Sequence, residues 1–228
     1  MSTTTPDHAA RDLLERARDG HEDVLDDETL DRLLSEVDRN LYAGADRSEV
    51  ADATVAALTA RIERDPAYDA MAARVARHDY ARRVTGEAPP ADPAAFAETY
   101  RDSFREAIER GLDADLLDER MGAYDLDRLA DALVPARDDL FDYTAVDTLE
   151  ERYYLREADG EPFELPQVFW MRVAMGVALR EDEAEREARA EEFYEVLSTL
   201  RFVHSTPTLF HAGTTHPQLS SCYLTTVP

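Results

Sequence analysis

The chain has 228 residues, 44% of them hydrophobic, enough for a core in one large domain or two small ones. It carries 50 acidic against 25 basic residues, a net charge of −25, and lysine is absent, so every one of those basic residues is arginine. Such a field repels nucleic acid and anionic membranes, which excludes a direct polymer partner, and no apolar run approaches the roughly 18 residues of a membrane span.

No basic stretch followed by an apolar one occurs between Met1 and Asp12, and the single cysteine, Cys222, has no internal partner for a disulfide; the cytoplasm is the expected compartment. Leu13, Leu14 and Ala17 predict a short helix ending near Gly20. Leu30, Leu33, Leu34, Val37 and Leu41 fall on one face of a second helix that stops before Gly44. Asp46 with Glu49 three residues on is a capping signal for a third, carrying Val50, Thr54, Leu58 and Ile62. Asp65 caps a fourth, Pro66 sits where its missing N–H costs nothing, and Gly86 ends it.

Glu87 to Pro93, with three prolines, reads as a linker. Phe96, Tyr100, Phe104 and Ile108 then form an i, i+4 ladder, a spacing that belongs to core packing. Leu126, Leu129, Ala130 and Leu133 make a further helix ending at Pro135. Between Tyr153 and Leu165 the period changes, and Asp159-Gly160 between short apolar runs predicts a β-hairpin. Pro166 starts a helix bearing Val168, Met171, Met175 and Leu179; the acidic stretch Glu181 to Glu192 leads into the last one, with Phe193, Tyr194, Leu197 and Leu200 inward.

The segment Arg201 to Pro228 is different, since hydroxyls, Gly and Pro outnumber acids there. Thr208-Leu209-Phe210 and Leu219 to Leu224, separated by Gly213, Thr214 and Pro217, read as strand, turn, strand, with Cys222 inside the second strand. A cysteine among small hydroxyl residues meets a polar ligand at close range; by residue type it is equally a small buried hydrophobe.

Three motifs in order carry a family resemblance. Leu140-Phe141-Asp142-Tyr143 with Thr148 to Arg156, then Gln167 to Val173, then Thr206 to Phe210 with Ala212-Gly213-Thr214 and Pro217 to Cys222, resemble the large subunit of ribonucleotide reductase, most closely class I. The resemblance implies a mainly α fold: a helical N-terminal domain with one β-hairpin, followed by the first strand or strands of a ten-stranded α/β barrel that is otherwise absent. It divides the chain into 1–88, an N-terminal helical region with activity-domain-like helices in 13–62; 89–200, the helical domain with its hairpin at 153–165; and 201–228, the start of the barrel. The strand pair with a Lys-Arg-Asp-Gly type sequence that usually opens the family's activity domain is missing.

The implied chemistry replaces the 2′-hydroxyl of a ribonucleotide by hydrogen through substrate radicals, for deoxyribonucleotide and DNA synthesis. Cys222 matches one of two cysteines that supply the two electrons, Thr206 a position near the nucleotide phosphates and Ser221 one near the ribose. No cofactor is implied for these residues themselves. The holoenzyme implies a radical source, a metal-containing small subunit rather than adenosylcobalamin, together with homodimerisation and a dithiol reductant of the thioredoxin or glutaredoxin type. Two other readings stand beside it. His204, His211, His216 and Cys222 offer four ligands for a metal, although prolines interrupt the segment, and the whole chain is alternatively an acidic helical interaction module without catalysis.

The acids are dispersed along most helices, a distribution that fits a halophilic protein working in concentrated salt; an acidic partner-binding face is the alternative. Self-repulsion is expected to destabilise the fold at low ionic strength, where the Debye length is about 30 Å, and to relax in molar salt, where it is about 3 Å. Thermal melts across that range test this, with a melting temperature that rises with salt as the expected outcome and an unchanged one as its refutation.

Overall fold

A computed structural model describes residues 6–226, with side chains from residue 8 onward. It is mainly α-helical, and among the described residues the β pairing amounts to two isolated bridges. The chain divides into two compact units, the first running to Ala88 and including Phe141–Thr148, the second made of Pro89–Leu140 and the residues from Leu149 onward.

The first unit contains α1 (Pro6–Ala17), α2 (Asp27–Asn40), α3 (Arg47–Thr59) and α4 (Ala67–Thr85). Their starts follow from local chemistry. The Asp26 carboxylate accepts from the Thr29 N–H at 2.8 Å, and Asp46 and Glu49 complete a reciprocal capping box at 2.9 and 2.8 Å. The Asp65 carboxylate accepts from the Ala67 N–H at 2.9 Å, with Pro66 already in helical conformation. Gly86 ends α4 at φ +78°, a conformation that costs a glycine little. Leu14, Leu33, Val37, Leu58, Met71 and Val75 meet in one buried cluster. Arg74 of α4 donates to the Ala17 carbonyl at 3.1 Å and to that of Asp19, so a cation satisfies the open end of α1.

The second unit contains α5 (Pro93–Asp113), α6 (Leu126–Asp131), the last turn of α7 (Tyr143–Arg152), α8 (Pro166–Ala178), α9 (Arg186–Ser198) and α10 (Thr206–His211). Asp92 caps α5, and the aromatic ladder packs as its spacing predicts, with Tyr100, Phe104 and Ile108 buried and Phe96 edge-on to Tyr100 at 5.2 Å. α8 is buried on nearly every side, packed by α5, α9 and α10. That is the expected place for a helix apolar all round. Its polar residues are satisfied inside. Gln167 donates to Asp138 at 2.8 Å and accepts from the Tyr194 hydroxyl at 2.8 Å; Tyr100 donates to the other Asp138 oxygen, and the Val134 N–H donates to Tyr194 at 3.0 Å. Burial pushes the Tyr194 hydroxyl up to about 12, so it stays a neutral donor.

Arg172, at the middle of α8, is fully buried with Glu164. Its Nε donates to Glu164 Oε1 at 2.5 Å and its Nη2 to Oε2 at 3.1 Å, a two-pronged pair. Nη1 donates to the Ala212 carbonyl at 2.9 Å, the Leu209 carbonyl lies 3.5 Å from both Nη atoms, and the Phe169 ring lies 5.2 Å beneath the cation.

Three expectations are corrected. The hairpin expected at 153–165 is a turn closed by one bridge, Arg156 with Pro162. Gly160 does turn the chain at φ +92°, and the Glu157 N–H reaches the Glu161 carbonyl at 3.0 Å. The Phe163 N–H adds one bond, to the Leu155 carbonyl at 3.1 Å, and the ladder stops there because the returning Leu155 N–H is taken by the Glu164 carboxylate at 2.8 Å. The strand expected at Thr208-Leu209-Phe210, the supposed start of the barrel, is helix α10, since Pro207 suits a first helical turn and Arg172 donates to the carbonyls at the helix end. The stretch expected as a second strand around Cys222 has no β pairing among the described residues.

Removing one partner of a buried ion pair leaves the other charge without compensation. Glu164→Ala is therefore expected to destabilise the protein by about 3–5 kcal/mol in urea unfolding, whereas the paired change Glu164→Leu with Arg172→Met recovers most of the loss. Equal stability of Glu164→Ala and the parent would contradict the structural weight given to the pair.

Candidate functional site

The candidate site lies in the second unit, around α10 and the segment that follows it. Ser205, extended at φ −64° and ψ 153°, precedes Thr206 at the first helical position, and the Thr206 side chain is exposed. Its hydroxyl lies 3.1 Å from that of Tyr153, whose ring stacks on Phe210 of the same helix at 4.8 Å and 17°. Thr206 and Phe210 are four residues apart, so one tyrosine covers a single face of α10 from end to end.

Beyond α10 the chain passes through Ala212-Gly213-Thr214 at very close quarters. A Cβ at Gly176 of α8 would lie 2.1 Å from the Gly213 nitrogen, and Gly213 itself has φ +79°. Only glycine serves at both places. On its other side the segment is tied by Asp118 N–H to the Gly213 carbonyl at 2.9 Å and Thr215 N–H to the Leu116 carbonyl at 3.1 Å. The chain then folds back along α10: the Thr208 hydroxyl donates to the Leu219 carbonyl at 3.0 Å, and His211 Nδ1 lies 3.2 Å from the Gln218 carbonyl. Ser221 and Cys222 follow, both exposed, with the Ser221 Oγ 3.9 Å from the Cys222 Sγ. The cysteine is a free, accessible thiol and not a buried filler.

The four-ligand metal arrangement is not assembled. Among the described residues no group of three or more His, Cys, Asp or Glu is placed to hold a metal ion. His211 faces the Gln218 carbonyl, His216 Nδ1 lies 3.1 Å from the Thr215 hydroxyl, and His204 packs edge-on to Phe202 at 4.9 Å, where burial lowers its pKa. Separately, the first unit holds a cavity of about 370 Å³ lined by Arg11, Asp12, Arg47, Asp79 and Arg82 together with His78 and Leu13. No candidate residue from the sequence falls there.

Sequence reading passed over Tyr153, the Arg172–Glu164 pair and Gly176. A signal existed for the pair, because Arg172 is the one charged residue between Pro166 and Leu179, and a lone charge in an apolar helix needs a buried partner. Tyr153 carried no such mark, since its partners are brought to it by the fold.

Residues 139–217 match the family model described as the ribonucleotide reductase all-alpha domain, a stretch that includes Tyr153, Arg172, Gly176 and Thr206 and stops short of Ser221 and Cys222. In class, then, the second unit is related to a helical domain of ribonucleotide reductases. More particularly, the chain is similar to ribonucleoside-diphosphate reductase large subunits: it is 40% identical over 188 residues to subunit alpha of Chlamydia trachomatis, covering 82% of this chain and 18% of that one. It is 34% identical over 191 residues to the large subunit of Arabidopsis thaliana, covering 81% and 21%, and 45% identical over 105 residues to subunit alpha of Helicobacter pylori, covering 46% and 13%. The chain thus spans about a fifth of the length of the first two of these relatives or less.

An exposed thiol reacts without unfolding. Cys222 is expected to be labelled stoichiometrically by a thiol reagent such as DTNB in the native protein, at a rate unchanged by subdenaturing urea; labelling that requires denaturation would place the thiol inside the fold.

Proposed function

We propose that this chain is the N-terminal part of a ribonucleoside-diphosphate reductase large subunit, which reduces ribonucleotides to deoxyribonucleotides. The reading is supported above all by the similarity over 82% of the chain to a subunit of that name. In the balanced reaction two thiols give up two electrons and two protons and become a disulfide, the C2′–O bond breaks, hydrogen takes its place and the oxygen leaves as water. Cys222 is one of the two thiols, Thr206 meets the phosphates of a ribonucleoside diphosphate, and Ser221 stands near the ribose. The exposure of all three side chains and the return of the chain along α10 are in keeping with these roles. The second thiol and the radical site are supplied by further sequence of the subunit, and residues 1–228 have no reductase activity alone.

The remaining parts of the proposal concern partners and setting. The radical source is a metal-containing small subunit rather than adenosylcobalamin, as the resemblance of the motifs to class I enzymes implies. A thioredoxin- or glutaredoxin-type dithiol re-reduces the cysteine pair. The subunit is a homodimer of the cytoplasm, in a cell with concentrated internal salt. Among the described residues no helix is long and apolar enough to cross a membrane.

The test is Cys222→Ala in the full-length subunit. Deoxynucleotide formation is expected to be abolished while nucleotide binding survives, because binding uses hydroxyls and reduction uses the thiol. After one turnover without reductant, peptide mapping of the wild type is expected to find Cys222 in a disulfide with a cysteine outside residues 1–228. Cys222 still free after stoichiometric product formation would refute the assignment.

A further inference from the structure

We infer that Tyr153 is a positioning residue for the substrate phosphates, acting through Thr206 by fixing the direction in which the Thr206 hydroxyl donates. The inference rests on the proposed contact between Thr206 and the nucleotide. The two hydroxyl oxygens lie 3.1 Å apart, within bonding distance, and either could be the donor in the free protein.

The tyrosine is held at every other point. Its N–H donates to the Leu149 carbonyl at 2.9 Å, continuing the last turn of α7, and its ring lies between Phe210 at 4.8 Å and Phe169 at 6.4 Å. The loop that follows is tied back by Arg156, which donates to the Gly160 carbonyl at 2.7 Å and to the Glu150 carbonyl. The ring, partly buried, is thereby stacked on α10, and the two O–H bonds are left to set the direction of the contact.

A bound phosphate removes that ambiguity. Ionised phosphate oxygens accept hydrogen bonds, and a threonine hydroxyl has one proton to give and two lone pairs to receive with. If Thr206 gives its proton to phosphate, Tyr153 can only donate to Thr206, and the pair becomes a one-way relay from Tyr153 through Thr206 to phosphate. A hydroxyl that accepts one bond is a stronger donor in the next, by about 10–30% per bond, and its rotation is already restricted before the ligand arrives. Without Tyr153 the exposed Thr206 hydroxyl would rotate among solvent partners.

The experiment measures binding of CDP to the full-length subunit in the absence of the radical-generating subunit, and steady-state kinetics of the holoenzyme. Tyr153→Phe keeps both ring contacts and removes the donor. It is expected to raise the Kd and KM for CDP by roughly three- to tenfold, the worth of one hydrogen bond, with the change falling on KM and not on kcat. In a Thr206→Val background the same change is expected to have no further effect, and in Thr206→Ser, which keeps the hydroxyl, its effect is expected to persist. Thermal melts of each variant identify any loss of folding, and a purely structural role would lower the melting temperature without moving KM. An unchanged Kd in Thr206→Val would overturn the assignment of Thr206 to the substrate, and the inference with it. A weakened Thr206→Val beside an unaffected Tyr153→Phe, or additive effects of the two changes, would overturn the role of Tyr153 alone.

Discussion

The second unit is organised around one buried guanidinium. Taking Arg172 and Glu164 out of water costs several kcal/mol per ion, and the fold offsets this only because nearly every polar atom of the two side chains has a partner. Glu164 accepts from Arg172 with both carboxylate oxygens and from the Leu155 N–H with Oε2 as well; Arg172 also reaches the Ala212 and Leu209 carbonyls. Three stretches far apart in sequence, the turn after α7, the core helix α8 and the end of α10, are thereby bound to one another. An apolar pair would fill the volume but would set no such geometry, since dispersion has little direction.

That anchoring makes sense of the contacts on either side of it. Gly176 lies one helical turn beyond Arg172, where α8 must let the backbone of Ala212 and Gly213 approach to within a distance that excludes any side chain. With the end of α10 held by the arginine and the next residues pressed on the glycine, the chain leaves in one direction only. It returns along α10 through the Thr208 and His211 contacts. The exposed Ser221 and Cys222 are thus delivered by a path whose rigidity is built in a buried core, while they themselves remain accessible.

The surface follows a different economy. With 50 carboxylates and no lysine, the many arginines on it are shared among several acids: Arg18 with Glu15 and Asp27, Arg105 with Asp102 and Asp127, Arg189 with Glu185 and Glu192. Each pair is exposed enough to contribute little by itself. Their collective effect is to lessen repulsion within a strongly anionic protein, leaving stability to the two cores.

Local chemistry was fully written in the amino-acid order. The capping box at Asp46 and Glu49, the cap at Asp65 beside Pro66, the glycine stop at Gly86 and the aromatic ladder of α5 all depend on residues within a few positions of one another, and each forms as its spacing predicts. The motifs around Thr206 and Cys222 were legible in the same way, as strings of residue types. Where an element's form depended on a distant group, the order of residues was silent. Thr208-Leu209-Phe210 is short enough to suit helix or strand, and it became helix where Arg172, more than thirty positions earlier, was available for its terminal carbonyls. Residues 153–165 had the turn residue of a hairpin, but the ladder stops at Leu155 and Phe163, where the Leu155 N–H goes to a carboxylate engaged by that same arginine. The pairing of Tyr153 with Thr206 likewise exists only once α8 has brought the two stretches together, because a hydroxyl carries no sign in the sequence of which other hydroxyl it will meet.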